Sequence, residues 1–397
     1  MPETSALYDF GPTGRLMLVG VVLALGPLAW VWLRQRSGTP AQRLRALTWV
    51  TLFLTFDLVI FGAFTRLSDS GLGCPDWPGC YGSASPIGAR EEITQAQTAL
   101  PTGPVTHGKA WIEMIHRYLA SAVGVLILTL AAATFWLSRR RGAGQADAPL
   151  QVSPAWPVLT LFWVCLQGAF GALTVTMKLF PAIVTLHLLG GMALLALLQV
   201  QASAYAQADA TRPLPAAKKL SGSARLLLWL GFALLWLQIA LGGWVSTNYA
   251  VLACTEFPAC QGSWWPTMDF RQGFTLWREL GASGDGGGHI SFAALTAIHY
   301  VHRLAAYAVI LVLLALAVQL RREPGTRQAG HWILALIVWQ FASGLSNVVL
   351  GWPLLAALAH TAGAAALVIV LTATICNTRS AAAARGNAIV PVKQVPA

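Results

Sequence analysis

The sequence predicts an all-α integral membrane protein with about nine spans, arranged as two pseudo-symmetric four-helix bundles plus one extra N-terminal transmembrane helix. Of the 397 residues, 56% are hydrophobic and only 10% are charged, whereas soluble domains carry about 25% charged residues. Lipid accepts so much apolar surface more readily than the interior of a soluble domain of this size. Long uncharged runs and an internal repeat are the other two observations behind the prediction.

Nine apolar runs approach or exceed the roughly 20 residues that cross the hydrocarbon core as a helix. The first run is long for the core of a signal peptide, and no clear small-x-small cleavage site follows it, so we predict a retained helix. The nine predicted spans cover about 16–33, 47–65, 110–137, 155–176, 181–204, 225–247, 293–319, 331–350 and 353–376.

The net charge of +11 lies in the short connections between the spans. Alternate connections hold the basic residues, and the positive-inside rule places those connections in the cytoplasm. We therefore expect a multi-pass protein of the bacterial inner membrane, with a periplasmic N-terminus, a cytoplasmic C-terminus and long outer loops at about 66–109 and 248–292. The charge pattern does not indicate nucleic-acid binding. The basic residues in question are Arg34, Arg36, Arg43, Arg45, Arg139, Arg140, Arg141, Arg212, Lys218, Lys219, Arg225, Arg321, Arg322, Arg327, Arg379 and Arg385.

Three landmarks recur in the same order along the chain, which indicates an internal repeat. They are a cysteine pair, a His-Arg dipeptide and a Gln-to-Gly segment followed by a histidine. The repeat predicts an extra helix and connection over 1–46, a four-helix half over 47–204, a linker over 205–224, a second half over 225–376 and a tail over 377–397. Because each half has an even number of spans, a pseudo-two-fold axis along the membrane normal should relate them. The matched residues are Cys74/Cys254, Cys80/Cys260, His116/His302, Arg117/Arg303, Gln167/Gln340, Gly171/Gly344 and His187/His360.

Four histidines lie inside predicted spans, where an ionisable residue is costly and indicates function. His116, His187, His302 and His360 lie roughly six to nine residues from the outer ends of their spans, which places all four about 10 Å below the outer boundary. Two facing helices in each half can hold a planar metal cofactor between such side chains. Haem with two histidine ligands fits best, because imidazole suits iron and no carboxylate or thiolate set for zinc accompanies the histidines. Copper fits less well, because the methionines form no cluster with the histidines. Hydrogen bonding between helices and proton relay are the alternatives.

The two halves differ one turn before the first histidine of each. Glu113 in the first half replaces His299 of the second. A carboxyl group inside a span is costly unless it is paired or protonated, so the difference points to the first half as the place of reaction, with a structural hydrogen bond as the alternative. His299 is open to three interpretations: a second ligand, a propionate donor or a packing residue.

Arginines next to the histidines are candidates for pairing with haem propionates, which guanidinium groups bind well. Arg117 and Arg303 directly follow His116 and His302, and Arg66 lies at the outer end of its span. Snorkelling of the arginine side chains to the interface is the alternative.

The cysteine pairs Cys74–Cys80 and Cys254–Cys260 fall in the loops that the charge rule places outside. Disulfides persist in that oxidising compartment, so we predict one in each loop. A zinc site is the alternative, but the spacing is wider than CxxC and no histidine is near in sequence.

The segment from Thr65 to Cys80 closely resembles the first outer loop of haem A synthases. The residues around Glu113 and His116, the helices of His187 and His360, and Trp265-Pro266 are similar to the same family. The resemblance covers about residues 45–376. The span at 16–33 departs from the family's usual eight-helix pattern.

The resemblance implies oxidation of a ring methyl group of haem O to the formyl group of haem A, by successive hydroxylations, for terminal oxidases. It implies a resident haem b on His302 and His360, a substrate-haem site at His116 and His187, and a functional carboxylate at Glu113. The first-loop cysteines are implied to assist catalysis or haem handling.

Two other classes of protein use similar parts. A cytochrome b that carries electrons also holds haem between two histidines, but needs neither Glu113 nor the first-loop motif. A haem transporter would favour spans interrupted near the midplane. The partners expected for the synthase are membrane lipid, haem O, the haem O synthase as a candidate, an electron-transfer partner of unknown identity, and a second copy in a homo-oligomer as an open case.

Overall fold

A computed structural model describes residues 11–139, 153–209, 220–278, 289–323 and 325–386. The predicted basic residues Arg140, Arg141, Arg212, Lys218 and Lys219 lie outside these ranges. Over the described residues the chain forms eleven α-helices and one 3₁₀ helix. The α-helices are α1 (Gly11–Arg34), α2 (Pro40–Leu67), α3 (Arg90–Ala99), α4 (His107–Arg139), α5 (Ala155–Thr176), α6 (Pro181–Gln207), α7 (Gly222–Thr247), α8 (Phe270–Gly273), α9 (Phe292–Arg322), α10 (Arg327–Val349) and α11 (Leu354–Gly386), and the 3₁₀ helix is Ala250–Ala253.

Nine of the described α-helices, all except α3 and α8, are long and apolar enough to cross a membrane, which confirms the predicted all-helical, nine-span class. Several extend beyond the apolar runs. The helix α2 begins at Pro40 because Thr39 forms a capping box with Gln42, and such caps lie outside a hydrophobic pattern. The helix α4 begins at His107. This histidine therefore starts a helix and does not lie in the outer loop predicted over about 66–109.

The spanning helices pack as two rings of four. Each helix of α2, α4, α5 and α6 contacts its two neighbours in the first ring, and α7, α9, α10 and α11 do the same in the second. The rings meet where α6 packs on α7 and α11, and where α2 packs on α11. We call the side that carries the two cysteine loops the loop side and the opposite side the basic side.

Two contacts link residues whose numbers differ by the repeat offset of 180. Arg66 Nη2 donates to the Ser246 carbonyl oxygen at 2.7 Å, and the Tyr249 hydroxyl donates to Asp69 Oδ1 at 3.0 Å. Residues related by a two-fold operation touch each other only beside the axis. The pseudo-axis therefore passes near these contacts on the loop side.

The extra helix α1 packs along α4 and, to a lesser extent, α2. Its Gly20 lies against Ser121 so closely that an added Cβ would come within 2.7 Å of the serine Cβ. Leu16 packs in one buried cluster with Cys74 and Cys80. The helix outside the repeat thus braces the first half and its cysteine loop.

Candidate functional site

The four predicted histidines lie in the loop-side part of four different spans. His116 follows the first residue of its helix by 9 residues, His187 by 6, His302 by 10 and His360 by 6, which corresponds to roughly 9–15 Å along the helices. His116 lies near His187, and His302 lies near His360. The fold therefore brings the histidines together as one pair in each ring.

Each histidine ring lies against a glycine of the preceding span. A Cβ on Gly62 would meet His116 Nε2 at 3.0 Å, and a Cβ on Gly242 would meet His302 Cε1 at 3.1 Å. The corresponding approaches are 3.5 Å for Gly171 to His187 Cε1 and 3.2 Å for Gly344 to His360 Cε1. The glycines occupy equivalent positions in the repeat, so all four rings are seated in the same way.

The second-ring histidines have side-chain partners at Nδ1. The amide nitrogen of Gln238 lies 3.1 Å from Nδ1 of His302, and the hydroxyl of Ser343 lies 3.1 Å from Nδ1 of His360. A ligating histidine donates its second ring N–H to an acceptor, which orients the ring and leaves the other nitrogen for a metal. The Ser343 oxygen can be that acceptor for His360. The Gln238 amide nitrogen is a donor that also lies 3.4 Å from Nε2 of His302 and donates to the His302 carbonyl oxygen, so it positions the His302 ring without selecting one ring nitrogen.

The first-ring histidines lack these partners, because Leu58 and Phe170 occupy the positions equivalent to Gln238 and Ser343. Nδ1 of His187 is buried without a hydrogen-bond partner among the described residues. The His116 ring stacks on Phe61, with ring centroids 6.3 Å apart and planes at 9°. The first pair is thus positioned by packing rather than by hydrogen bonds.

Glu113 is buried, and its carboxylate joins the helix to the first cysteine loop. Oε1 accepts from Arg117 Nη2 at 2.5 Å, and Oε2 accepts from the Cys74 backbone N–H at 2.8 Å. Arg117 Nη1 also donates to the carbonyl oxygens of Asp76 and Gly79, at 3.0 and 2.5 Å. The ion pair compensates the burial of both charges and holds the loop against α4.

Arg303 grips the second cysteine loop as Arg117 grips the first, but it lacks a carboxylate. Its Nη1 donates to the Pro258 and Ala259 carbonyl oxygens at 3.3 and 3.0 Å. Its Nη2 is buried with no hydrogen-bond partner in the described structure. His299, which replaces the carboxylate, places Nδ1 3.1 Å from the carbonyl oxygen of Ala250 and so anchors the 3₁₀ helix.

The structure forms both disulfides, Cys74–Cys80 and Cys254–Cys260. In each loop the second cysteine pairs with the serine three residues later, Ser83 or Ser263, in an isolated β-bridge. The four cysteines are fully buried. Each disulfide loop is thus a compact unit tied by an arginine to a histidine-bearing helix.

Arg66 lies at the loop-side contact between the rings. Besides Ser246, it pairs with Asp69 at 3.3 Å and places its guanidinium carbon 4.2 Å from the ring centroid of Tyr249. Burial raises the pKa of the Tyr249 phenol, against the opposing effect of Arg66. The phenol therefore remains protonated and able to donate to Asp69.

The residues fit haem in both rings. Paired imidazoles are the ligands that haem iron takes, and the glycines beside them make room for the imidazole rings. A buried guanidinium nitrogen without a partner is costly, and a propionate is a suitable acceptor for Arg303 Nη2.

Several residues of the site were not identified from the sequence. Gln238 and Ser343 lie in apolar helices, and the one signal in the sequence was that the equivalent residues of the first half are apolar. Outside the site, the exposed carboxylate of Asp57 lies inside the span α2, where the rarity of acidic residues was a signal that could have identified it.

The fold and the site define a polytopic membrane protein with two related histidine pairs suited to haem. The chain matches the family model described as "COX15-CtaA: Cytochrome oxidase assembly protein" over residues 45–372. It belongs to that family.

Curated relatives agree in name. A Heme A synthase of Shewanella oneidensis is 37% identical over 328 residues, which cover 82% of this chain and 94% of that protein. A Heme A synthase of Chelativorans sp. is 30% identical over 354 residues, with 84% and 92% covered. A Heme A synthase of Halalkalibacterium halodurans is 24% identical over 320 residues, with 79% and 89% covered.

Proposed function

We propose that this protein is a haem A synthase, an oxidoreductase that converts a ring methyl group of haem O to the formyl group of haem A. One observation carries the proposal: two histidine pairs share a scaffold, but only the first has a buried carboxylate, Glu113, one turn from a histidine. An electron carrier with two equivalent haems has no need of that difference. The family membership and the names of the relatives support the same reaction.

The second ring holds the resident cofactor, haem b, between His302 and His360. Ser343 supports this assignment, because its oxygen can accept from Nδ1–H of His360 and so orient that imidazole for permanent ligation, while Gln238 holds the His302 ring in position. Arg303 Nη2 is the donor available to a propionate. Haem held in this way supplies one-electron redox chemistry.

The first ring takes the substrate, haem O, at His116 and His187. The lack of a hydrogen bond at His187 Nδ1 among the described residues suits a ligand that must also leave, since the imidazole is held by packing alone. Glu113 holds a carboxylate one turn from His116 and can accept or return a proton when its bond to Arg117 loosens. Arg117 and Arg66 are further propionate donors in this proposal, although their contacts are with the loops.

The conversion of a methyl to a formyl group adds an oxygen atom and removes two hydrogens, a four-electron oxidation. The protein therefore needs an electron-transfer partner in the membrane. The positive-inside pattern supports the bacterial inner membrane, with the loop side facing the periplasm and the C-terminus in the cytoplasm. The haem O synthase is the candidate supplier of the substrate.

The test is a pigment analysis. Membranes that contain this chain together with a haem O source are extracted, and the haems are separated by chromatography and identified by mass. We expect haem A, which should be missing when the chain is omitted. Unchanged haem O in the presence of correctly folded, haem-loaded protein would overturn the proposal.

A further inference from the structure

Asp57 is an acidic residue inside the bilayer that neither histidine pair uses. It lies 17 residues after Pro40 and 10 residues before Leu67, the ends of α2, and so about 15 Å along the helix from the loop-side end. Its side chain is exposed. An exposed carboxylate at this depth is costly in lipid and indicates a function.

Asp57 and Glu113 are the two acidic residues within the nine described candidate spans, and their surroundings differ. Glu113 is buried and paired with Arg117. Asp57 has no ion pair within the described part of the chain. Its equivalent in the second half, at the offset of 180, is Leu237, a 51% exposed apolar side chain. The repeated scaffold therefore does not require a carboxylate at this position.

A groove of about 520 Å³ lies between α1 and α2. It ends about one helical turn from Asp57, on the side of Asp57 that faces the basic side. Trp49, Phe53 and Asp57 follow each other at intervals of four residues, so they share one face of α2. The groove's α1 wall includes Gly26 and Trp30. An added Cβ on Gly26 would meet no atom within 4 Å, so this wall is open to a neighbour.

We propose that this groove binds a transmembrane helix of another membrane protein, one that carries a lysine, arginine or histidine at the depth of Asp57. A helix is the partner that satisfies its own backbone in lipid, and glycine allows a helix to approach closely while polar groups join the two chains. A cation complements the carboxylate. This inference does not depend on the reaction proposed above.

A second copy of this chain does not offer the required cation. Counted from the loop-side ends of the described spans, the cationic side chains within four residues of this depth are His116, Arg117, His187, His299, His302, Arg303 and His360, which form or brace the two histidine sites. The partner is therefore a different protein. A partner in the groove would lie beside the first ring, because Gly62 on the same helix touches His116.

The binding test uses the full-length, haem-loaded protein in phosphatidylcholine vesicles. The probe is a labelled synthetic single-span Leu/Ala helix with one lysine at the depth of Asp57, and its association is measured by energy transfer against the same helix with leucine. We expect at least about ten-fold stronger association of the lysine helix, and loss of that preference in Asp57→Leu. Elution profile and thermal unfolding midpoint confirm that the variant is folded.

The matched control moves the carboxylate to the second half in the double variant Asp57→Leu, Leu237→Asp. If the groove contributes, the lysine preference should not return. Equal association of both helices with the wild type, or recovery of the preference in the double variant, would overturn the proposal.

A photo-crosslinking amino acid at Phe53, inside the groove, tests for the partner in native membranes, with the same group at Leu237 as the control. The expected adduct, specific to Phe53, contains a spanning peptide with a cation at the matching depth. Adducts only to lipid, to a second copy of this chain or to helices without such a cation would contradict the inference.

Discussion

The two histidine pairs occupy the same places in a repeated scaffold but are held differently. His302 and His360 have polar side chains at Nδ1, whereas His116 stacks on Phe61 and Nδ1 of His187 has no hydrogen-bond partner among the described residues. The neighbouring arginines show the opposite pattern, because Arg117 is neutralised by Glu113 and Arg303 keeps an unpartnered nitrogen. In the proposed function, this difference suits one pair to permanent ligation and the other to a ligand that is exchanged.

The largest effect is expected when a resident ligand is removed. His302→Ala should abolish the low-spin haem b spectrum of the purified protein, because an apolar site retains no axial ligand in its place. His187→Ala is the matched variant and should leave that spectrum intact while haem A formation stops. If both variants lose the spectrum equally, the assignment of different haems to the two rings is wrong.

Removal of the carboxylate tests the asymmetry at Glu113. Glu113→Ala should abolish haem A formation while the haem b spectrum persists, as judged by chromatography of extracted haems and optical spectra of one preparation. Glu113→Gln separates the roles, because the amide oxygen can still accept from the Cys74 N–H but cannot take up a proton. Activity close to wild type in the glutamine variant would assign Glu113 to holding the loop alone.

Exchange of the hydrogen-bonding residues sharpens the comparison between the pairs. Gln238→Leu places the first-ring residue in the second ring and should weaken haem b retention about 10- to 100-fold, the usual loss when an outer partner of a ligating histidine is removed. Haem loss to apomyoglobin measures this retention. The reverse change, Leu58→Gln, should leave haem b retention unchanged, and an equal loss in both variants would point to general unfolding.

The smallest effect is expected from substitution of the glycines that lie against the histidine rings. Gly62→Ala places a Cβ 3.0 Å from His116 Nε2, whereas Gly171→Ala places one at an ordinary 3.5 Å from His187 Cε1. Overpacking by one methyl group costs about 1–3 kcal/mol, so Gly62→Ala should lower haem A formation several-fold and Gly171→Ala less. The ratio of haem A to haem O in extracts checks this order, and an inverted order would show that these glycines do not set ring position.

The membrane class, the approximate spans and the repeat could all be predicted from the sequence. Length and apolarity of a run decide whether a helix crosses lipid, and a fixed order of landmarks shows a repeat without any structure. The four histidines and the two cysteine pairs were identified in the same way, because their spacing recurs in both halves.

The contacts that hold those residues depend on the packing of the helices. The carboxylate of Glu113 meets the N–H of Cys74, 39 residues away, and the Gln238 amide reaches His302 across 64 residues. Arg66 contacts its own repeat equivalent, Ser246, and α1 packs on α4 rather than standing apart. Such contacts depend on how helices pack against each other. A sequence read residue by residue does not show which side of a neighbouring helix will face a given side chain. The difference in the contacts that hold the two histidine pairs therefore became visible only in the assembled fold.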